Sequence, residues 1–429
     1  MPSMIGTPLY RRALFASLLL ASMAAHAQET SFTLEAALQA ATDHSAVMGA
    51  AQASVRASSE AAVRAGQLPD PMLKAGIDNL PVTGQQKFTI GQDFMTMRRI
   101  GIEQEWVSSE KRRLRSALAD DVVERERAGY LGQLANTRQQ TATAWLNATY
   151  AKKAVVLQQE LAEHMNHELE AIKATYRAGK STAADVIQAR AMLAQTQDQL
   201  LRARQSLQIA LIGLSRWTAT PVLDVSGKPP APLSYVTILP PEELREVQPV
   251  LVAASRDIAV ADADISVANS NRTPNWSWEV AYQQRGGAYS NMASIGVSIP
   301  LPINRKDRQD RDVGEKAELA TRARLMYEDA QRQVEADIRA QSATLASGRE
   351  RIANLSRSLL PAADQRVQLA AGAYRAGTGS LADTFAARRA QLDAELQVLD
   401  LQRDVSQTWA QLEYQVVPAS VSASMSASQ

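Results

Sequence analysis

Cysteine is absent from the 429 residues of this chain. That excludes disulfides, thiolate metal sites and, for an exported chain, acylation of a cysteine at the mature N-terminus. Long apolar runs are also missing. The one stretch of note, from Ala13 to Ala25, holds about a dozen residues, whereas a helix crossing a hydrocarbon core needs about 20. Any segment that spans a bilayer must then be β. An excess of either charge is lacking too: 46 basic residues stand against 45 acidic ones. No nucleic-acid-binding reading survives that balance. Catalytic constellations are likewise wanting. Ser108 to Lys111 formally fits S-x-x-K, but no partner motif accompanies it, and His167-Glu168 lacks a second histidine at metalloprotease spacing. The chain reads as no enzyme and calls for no cofactor.

What is present begins with Arg11 and Arg12 ahead of the apolar run and Ala25-His26-Ala27 after it, the layout of a secretory signal peptide. Cleavage is expected after Ala27. Removing residues 1–27 takes away two arginines and no acid, which leaves 44 − 45 = −1.

The chain also says one thing twice. Tyr176-Arg177-Ala178-Gly179 and Asp185 return as Tyr374-Arg375-Ala376-Gly377 and Asp383, with 374 − 176 = 383 − 185 = 198. Arg190 and Arg388 keep that register, and Ile100-Gly101-Ile102 has a looser counterpart in Ile295-Gly296-Val297. The expected organisation is a signal peptide (1–27), a first repeat (28–220), a connector (221–249), a second repeat (250–417) and a flexible tail (418–429).

No proline occurs between Ser108 and Thr220, and strong helix formers dominate there. Gly179 suits a left-handed helix end, and Ser181 or Thr182 can cap the helix that follows, so residues 176–182 form the tip of an antiparallel helical hairpin. The outgoing arm is long enough for a rod on the order of 100 Å. The second half repeats the plan, with a tip at 374–380 built on Gly377 and Ser380. Pro361 interrupts its outgoing arm, and a kink or local unwinding is expected there. The proline-rich stretch from Pro221 to Pro249 reads as a non-helical connector, and a helix resumes near Val250 and runs to about Asn271.

Upstream of each rod the period changes to two. Trp276, Trp278, Val280 and Tyr282 alternate with polar partners, and after Arg285-Gly286-Gly287 so do Ala293, Ile295, Val297, Ile299 and Leu301. The first copy has Leu73, Ala75 and Ile77, then a long polar loop, then Ile100 and Ile102. Hairpins over about 72–106 and 275–302 follow, with Trp106, Trp276, Trp278 and Tyr282 as interface aromatics, which is the texture of transmembrane strands. A soluble β-layer on helices remains the alternative. One chain supplies four such strands, too few to close a barrel, so several copies must share one.

This order of strand pair, long rod, YxxG tip with a later aspartate, connector and the same again resembles the TolC family of outer-membrane channel proteins. Leu68-Pro69-Asp70-Pro71, Asn79-Leu80-Pro81 and Met95 to Gly101 are similar to its heavy-metal efflux branch of cobalt-zinc-cadmium and copper-silver type. The resemblance implies a mainly α fold with a small membrane β part: duplicated helical hairpins forming an α-barrel, and four transmembrane strands per chain in a trimeric 12-stranded β-barrel. It implies a homotrimer in Gram-negative outer-membrane lipid, extending into the periplasm, with a periplasmic adaptor and a proton-driven inner-membrane RND pump as partners. The chain would be the passive exit duct of a tripartite efflux system across outer membrane and periplasm, serving a heavy-metal or drug RND pump. The alternatives are an exit duct for type I protein secretion, or a periplasmic coiled-coil adaptor or scaffold.

The resemblance also places Asp383 at a periplasmic gate, where a ring of like charges attracts cations. A second acid expected one turn on is Ala386 here. Asp185 and Tyr374 match a hydrogen-bonded latch between neighbouring tips, while Gly379 replaces an arginine that supports it in some relatives. Tyr176, Gly179, Ser181, Thr182, Gly377 and Ser380 would dock the adaptor. For metal, the candidates are His164 and His167 at i and i+3, and Met95 and Met97 on one strand face with Glu103 and Glu105. Each set also has a plainer reading: a solvated helix face, barrel filling, or a helix cap in the case of Asp383.

Overall fold

The computed structural model describes residues 31–417. The expected signal peptide and the tail at 418–429 lie outside the described residues. In chain order come β1 (Ser31–Phe32), α1 (Leu34–His44), α2 (Ala46–Ala65), β2 (Met72–Asp78), β3 (Met97–Trp106), α3 (Ser109–Arg177), α4 (Ala183–Thr218) and β4 (Asp224–Val225). Then follow α5 (Pro241–Val247), α6 (Pro249–Ser270), β5 (Trp276–Gln284), β6 (Met292–Ser298), α7 (Gln309–Arg375) and α8 (Leu381–Tyr414). The proline-free stretch is two helices: α3 of 69 residues and α4 of 36.

The chain condenses into two compact units, and each draws on both repeats. The first comprises residues 31–45, 138–233 and 344–410. Its centre holds Trp145, Leu146 and Leu214, all fully buried. Buried aromatics here carry polar handles that find backbone acceptors. The Trp145 indole donates to the Phe32 carbonyl at 2.8 Å, and Trp409 donates to Leu233 at 3.0 Å. Lys152 reaches the Asp224 carboxylate at 2.7 Å, beside the short parallel pairing of β1 with β4. The two indole bonds satisfy groups that burial would otherwise strand and tie the long helices to β1 and the connector, and the more exposed Lys152–Asp224 pair adds a second link to the connector.

The second unit comprises residues 46–137, 234–343 and 411–417. Its defining element is a four-stranded antiparallel sheet in the order β2-β3-β5-β6, so the hairpins of the two repeats join along β3 and β5. Where β3 gives way to α3, Lys111 is only 5% exposed. Its ammonium donates to Asn275 Oδ1 at 2.8 Å and to the Thr273 carbonyl, and Asn275 donates to Glu105 at 2.7 Å. Burial pushes the Lys111 pKa down. The Trp106 and Trp276 rings lie together at that same end of the sheet, 6.1 Å apart.

Four expectations need correction. First, α7 runs through Pro361 as uninterrupted helix, without the expected unwinding. The missing hydrogen bond is local, and Ala363 and Val367 just beyond it are buried, so packing holds the helix on that side. Second, β6 ends at Ser298, although Ile299 and Leu301 continue its alternation. Pro300 and Pro302 have no N–H to offer a ladder. Third, the connector is not free of helix: α5 starts on Pro241 at its first turn, where a missing N–H costs nothing, with Glu242 and Glu243 favouring its positive end. Fourth, Met95 lies outside β3. The Asp93 carboxylate accepts from its N–H at 2.7 Å and turns the chain there, so Met95 does not share the face of Met97.

Candidate functional site: the two faces of the sheet and the two helical tips

Because successive strand residues point to opposite faces, the register sorts the sheet cleanly. One face carries Leu73, Ala75 and Ile77 from β2, Ile100, Ile102 and Trp106 from β3, Trp276, Trp278, Val280 and Tyr282 from β5, and Ala293, Ile295 and Val297 from β6. Most of these side chains are exposed, Ile295 to 81%. A bulky apolar face left open on this scale marks an interaction with something other than water. Both sheet edges, β2 and β6, are unpaired among the described residues.

The opposite face is polar and ion-paired. Glu103 and Glu279 stand directly opposite each other across β3 and β5, a pairing of like charges that is unfavourable by itself. Lys74 joins both carboxylates, at 3.2 Å to Glu279, and Arg99 bonds Glu279 and lies 3.8 Å from Asp78. This lattice bridges the seam between the two hairpins. Sequence reasoning missed it, although the parity of Lys74, Arg99, Glu103 and Glu279 relative to the apolar positions was the signal for it. Met97 lies on this face with Glu103 and Glu105.

The tips belong to the first unit. Gly179 and Gly377 take φ of 71° and 73°, the left-handed conformation that ends α3 and α7 at small cost only for glycine. Each returning helix then starts with the same reciprocal cap. Thr182 Oγ1 accepts from the Asp185 N–H at 3.2 Å, while the Asp185 carboxylate accepts from the Thr182 N–H and hydroxyl, both at 2.8 Å. Ser380 and Asp383 repeat this at 3.1, 3.2 and 2.6 Å. Both carboxyls are held below the usual aspartate range, Asp185 by the backbone and then the hydroxyl of Thr182. For Asp383 the Ser380 hydroxyl and then its N–H do the same, with Arg366 adding a smaller pull.

Between the tips lies an apolar cluster of Met165, Leu169, Ile172, Ala189, Leu193, Leu381 and Phe385, with Tyr374 packed against it. Tyr176, the counterpart of Tyr374, is 49% exposed. Within one chain the structure brings Tyr374 to this cluster and does not join it to Asp185. Gly379 sits where an added Cβ would lie 2.9 Å from the Ala373 Cβ, so the turn itself leaves no room there for a side chain. In the first tip the corresponding Ser181 keeps its side chain, and Thr175 donates to it at 3.1 Å.

His164 and His167 are both exposed on α3. Among the described residues, no group of three or more histidine, aspartate or glutamate side chains is gathered so as to hold a metal ion. Two half-buried carboxyls were not foreseen. Burial raises the pKa of Glu168, against the opposing pull of Arg388 and His164. Burial also raises that of Glu395, and Glu160 and Asp364 push it the same way.

A family model for outer membrane efflux proteins matches residues 37–220 and again 241–414. The chain is 26% identical over 379 residues to the cobalt-zinc-cadmium resistance protein CzcC of Cupriavidus metallidurans, covering 86% of this chain and 85% of that one. Its fold is similar to that of a membrane protein from Pseudomonas aeruginosa, with a TM-score of 0.77 at 16% identity and 89% of each chain covered. It is also similar to the CmeC outer membrane channel of Campylobacter jejuni, with a TM-score of 0.74 at 15% identity over 89% of this chain and 85% of that one.

Proposed function

The chain belongs to the outer membrane efflux protein family, whose members are conduits and not enzymes, and we propose that three copies of it close one exit duct for an inner-membrane RND pump and its periplasmic adaptor. The observation that carries this reading is the four-stranded sheet, apolar and open on one face, ion-paired on the other and, among the described residues, unpaired at both edges. An open edge cannot persist in lipid. Three copies supply twelve strands with the apolar face toward lipid and the charged lattice toward water, and Trp106, Trp276, Trp278 and Tyr282 then serve as interface aromatics.

In this reading the signal peptide is removed after Ala27, no lipid is attached, and the tips point into the periplasm. Tyr176, Gly179, Ser181, Thr182, Gly377 and Ser380 form the adaptor-docking surface. Asp383 lines the periplasmic entrance as a ring of three, and Asp185 with Tyr374 links neighbouring tips when it is closed. The first repeat (28–220), the connector (221–249) and the second repeat (250–417) are its building blocks. Similarity to CzcC supports heavy-metal ions as the exported cargo. Energy comes from the pump, and the duct is passive.

The test is fractionation of cells expressing the full chain, followed by single-channel recording. A heat-labile trimer in the outer membrane that conducts in planar bilayers is the expected result. A soluble monomer, or a membrane trimer that never conducts, would overturn the reading.

A further inference from the structure

The β2–β3 loop, residues 79–96, reads as simply polar in the sequence, but it is internally bonded and carries a set of bulky apolar side chains. Thr96 donates to the Asn79 carbonyl at 3.0 Å, and the Phe88 N–H donates to Pro81 at 2.8 Å. That bond helps hold Phe88 at φ 57°, a conformation bulky residues rarely adopt. The loop is also locked to its neighbour between β5 and β6. Arg285 donates to the Phe94 carbonyl, and a Cβ added at Gly286 would fall 1.9 Å from the Gly91 oxygen, so the two backbones cross where only glycine fits. This braced loop presents Val82, Phe88, Ile90, Phe94 and Met95 outward, all exposed.

Cations accompany these side chains. The Lys87 ammonium lies 5.1 Å from the Phe88 ring centre, and the Arg285 guanidinium lies 5.0 Å from that of Tyr289. Arg98, opposite Gln284, ends the apolar column of β3. The single acid between residues 79 and 96 is Asp93, and one of its oxygens accepts the Met95 N–H. Bulky apolar and aromatic groups beside exposed lysine and arginine are the composition of a segment resting at a lipid headgroup boundary. Ile77 and Tyr282 end the apolar columns of β2 and β5 at the loop end of the sheet.

We propose that the two braced loops form a lipid-contact collar in which Phe88, Phe94 and their neighbours enter the outer leaflet while Lys87, Arg98 and Arg285 meet anionic headgroups. The inference rests on the sheet being membrane-spanning with its helical tips periplasmic. Closure over the mouth is disfavoured, because loops meeting on the axis would bring identical lysines together.

Since the chain has no cysteine, single replacements can be spin-labelled without background. Phe88→Cys and Phe94→Cys are compared with Ile295→Cys on the apolar face and Ser294→Cys on the wet face. All are reconstituted as full chains in vesicles of phosphatidylethanolamine with anionic phosphatidylglycerol. The expected result is that labels at 88 and 94 collide with oxygen over an aqueous nickel chelate as strongly as at 295, several-fold more than at 294. Lys87→Glu should weaken that preference at 94. If 295 reads as lipid-exposed while 88 and 94 match 294, or show dipolar broadening between copies, the collar is wrong and the duct reading stands. An aqueous signal at 295 overturns both.

Discussion

The two helical tips share a turn and differ in what flanks it. Both place glycine in the left-handed region and both start the returning helix with a hydroxyl–aspartate box, 198 residues apart. Yet Phe385 is 2% exposed in the shared cluster, whereas its counterpart Ile187 is 66% exposed, and Tyr374 packs where Tyr176 does not. Duplication thus preserved the backbone devices, while divergence made the second tip the packing centre and left the first with apolar groups facing outward. An outward apolar tip suits contact with another chain, in keeping with the docking role proposed for Tyr176.

Truncating Phe385 and Ile187 should separate the two tips most. Phe385→Ala should cost about 3–5 kcal/mol of local stability through the cavity it leaves. Ile187→Ala should stay within about 0.5 kcal/mol. Hydrogen exchange of the α4 and α8 amides reads both, and an equal loss at Ile187 would mean that another chain covers it.

A smaller effect separates the caps. Asp185→Ala and Asp383→Ala should each fray their own helix start, read as faster exchange of its first-turn amides. Only Asp383→Ala should also lower cation preference in single-channel recordings, and unchanged selectivity would reduce Asp383 to a cap. Both carboxyls have lowered pKa values in the fold. The stability each contributes is therefore present above the unfolded value of about 3.9 and is lost as pH falls through the folded one.

The smallest effect lies further along the returning helices, where Glu395 corresponds to Gln197, since 395 − 198 = 197. Burial and two neighbouring acids raise the Glu395 pKa. Its protonated form suits the fold, so stability is fully present below the unfolded value of about 4.3 and declines as pH rises through the folded one. Glu395→Gln should remove that decline, giving slower exchange in α8 than the parent at pH 8 and little difference at pH 4. An unchanged pH profile would show that the carboxyl is not strained.

Much of this was legible from residue order alone, because the devices involved are local. A glycine where a helix must turn back and a hydroxyl three residues before an aspartate announce the tips. A period of two announces the strands, and a proline-free run of helix formers announces α3 and α4. Local rules also erred where two of them competed: alternation carried β6 past Pro300, and proline content hid α5.

Which distant residues meet was settled by the packing of the whole chain. The chain alone determined that there would be two long hairpins, two capped tips and four amphipathic strands, since each depends on neighbours within a few residues. It did not determine that Lys74 would neutralise glutamates facing each other across a seam between repeats, or that Tyr374 and not Tyr176 would pack inward. Nor did it determine that Gly91 would cross Gly286. Those outcomes depend on strand register and helix packing between segments up to some 200 residues apart, where the free energy belongs to the contact and to neither segment by itself.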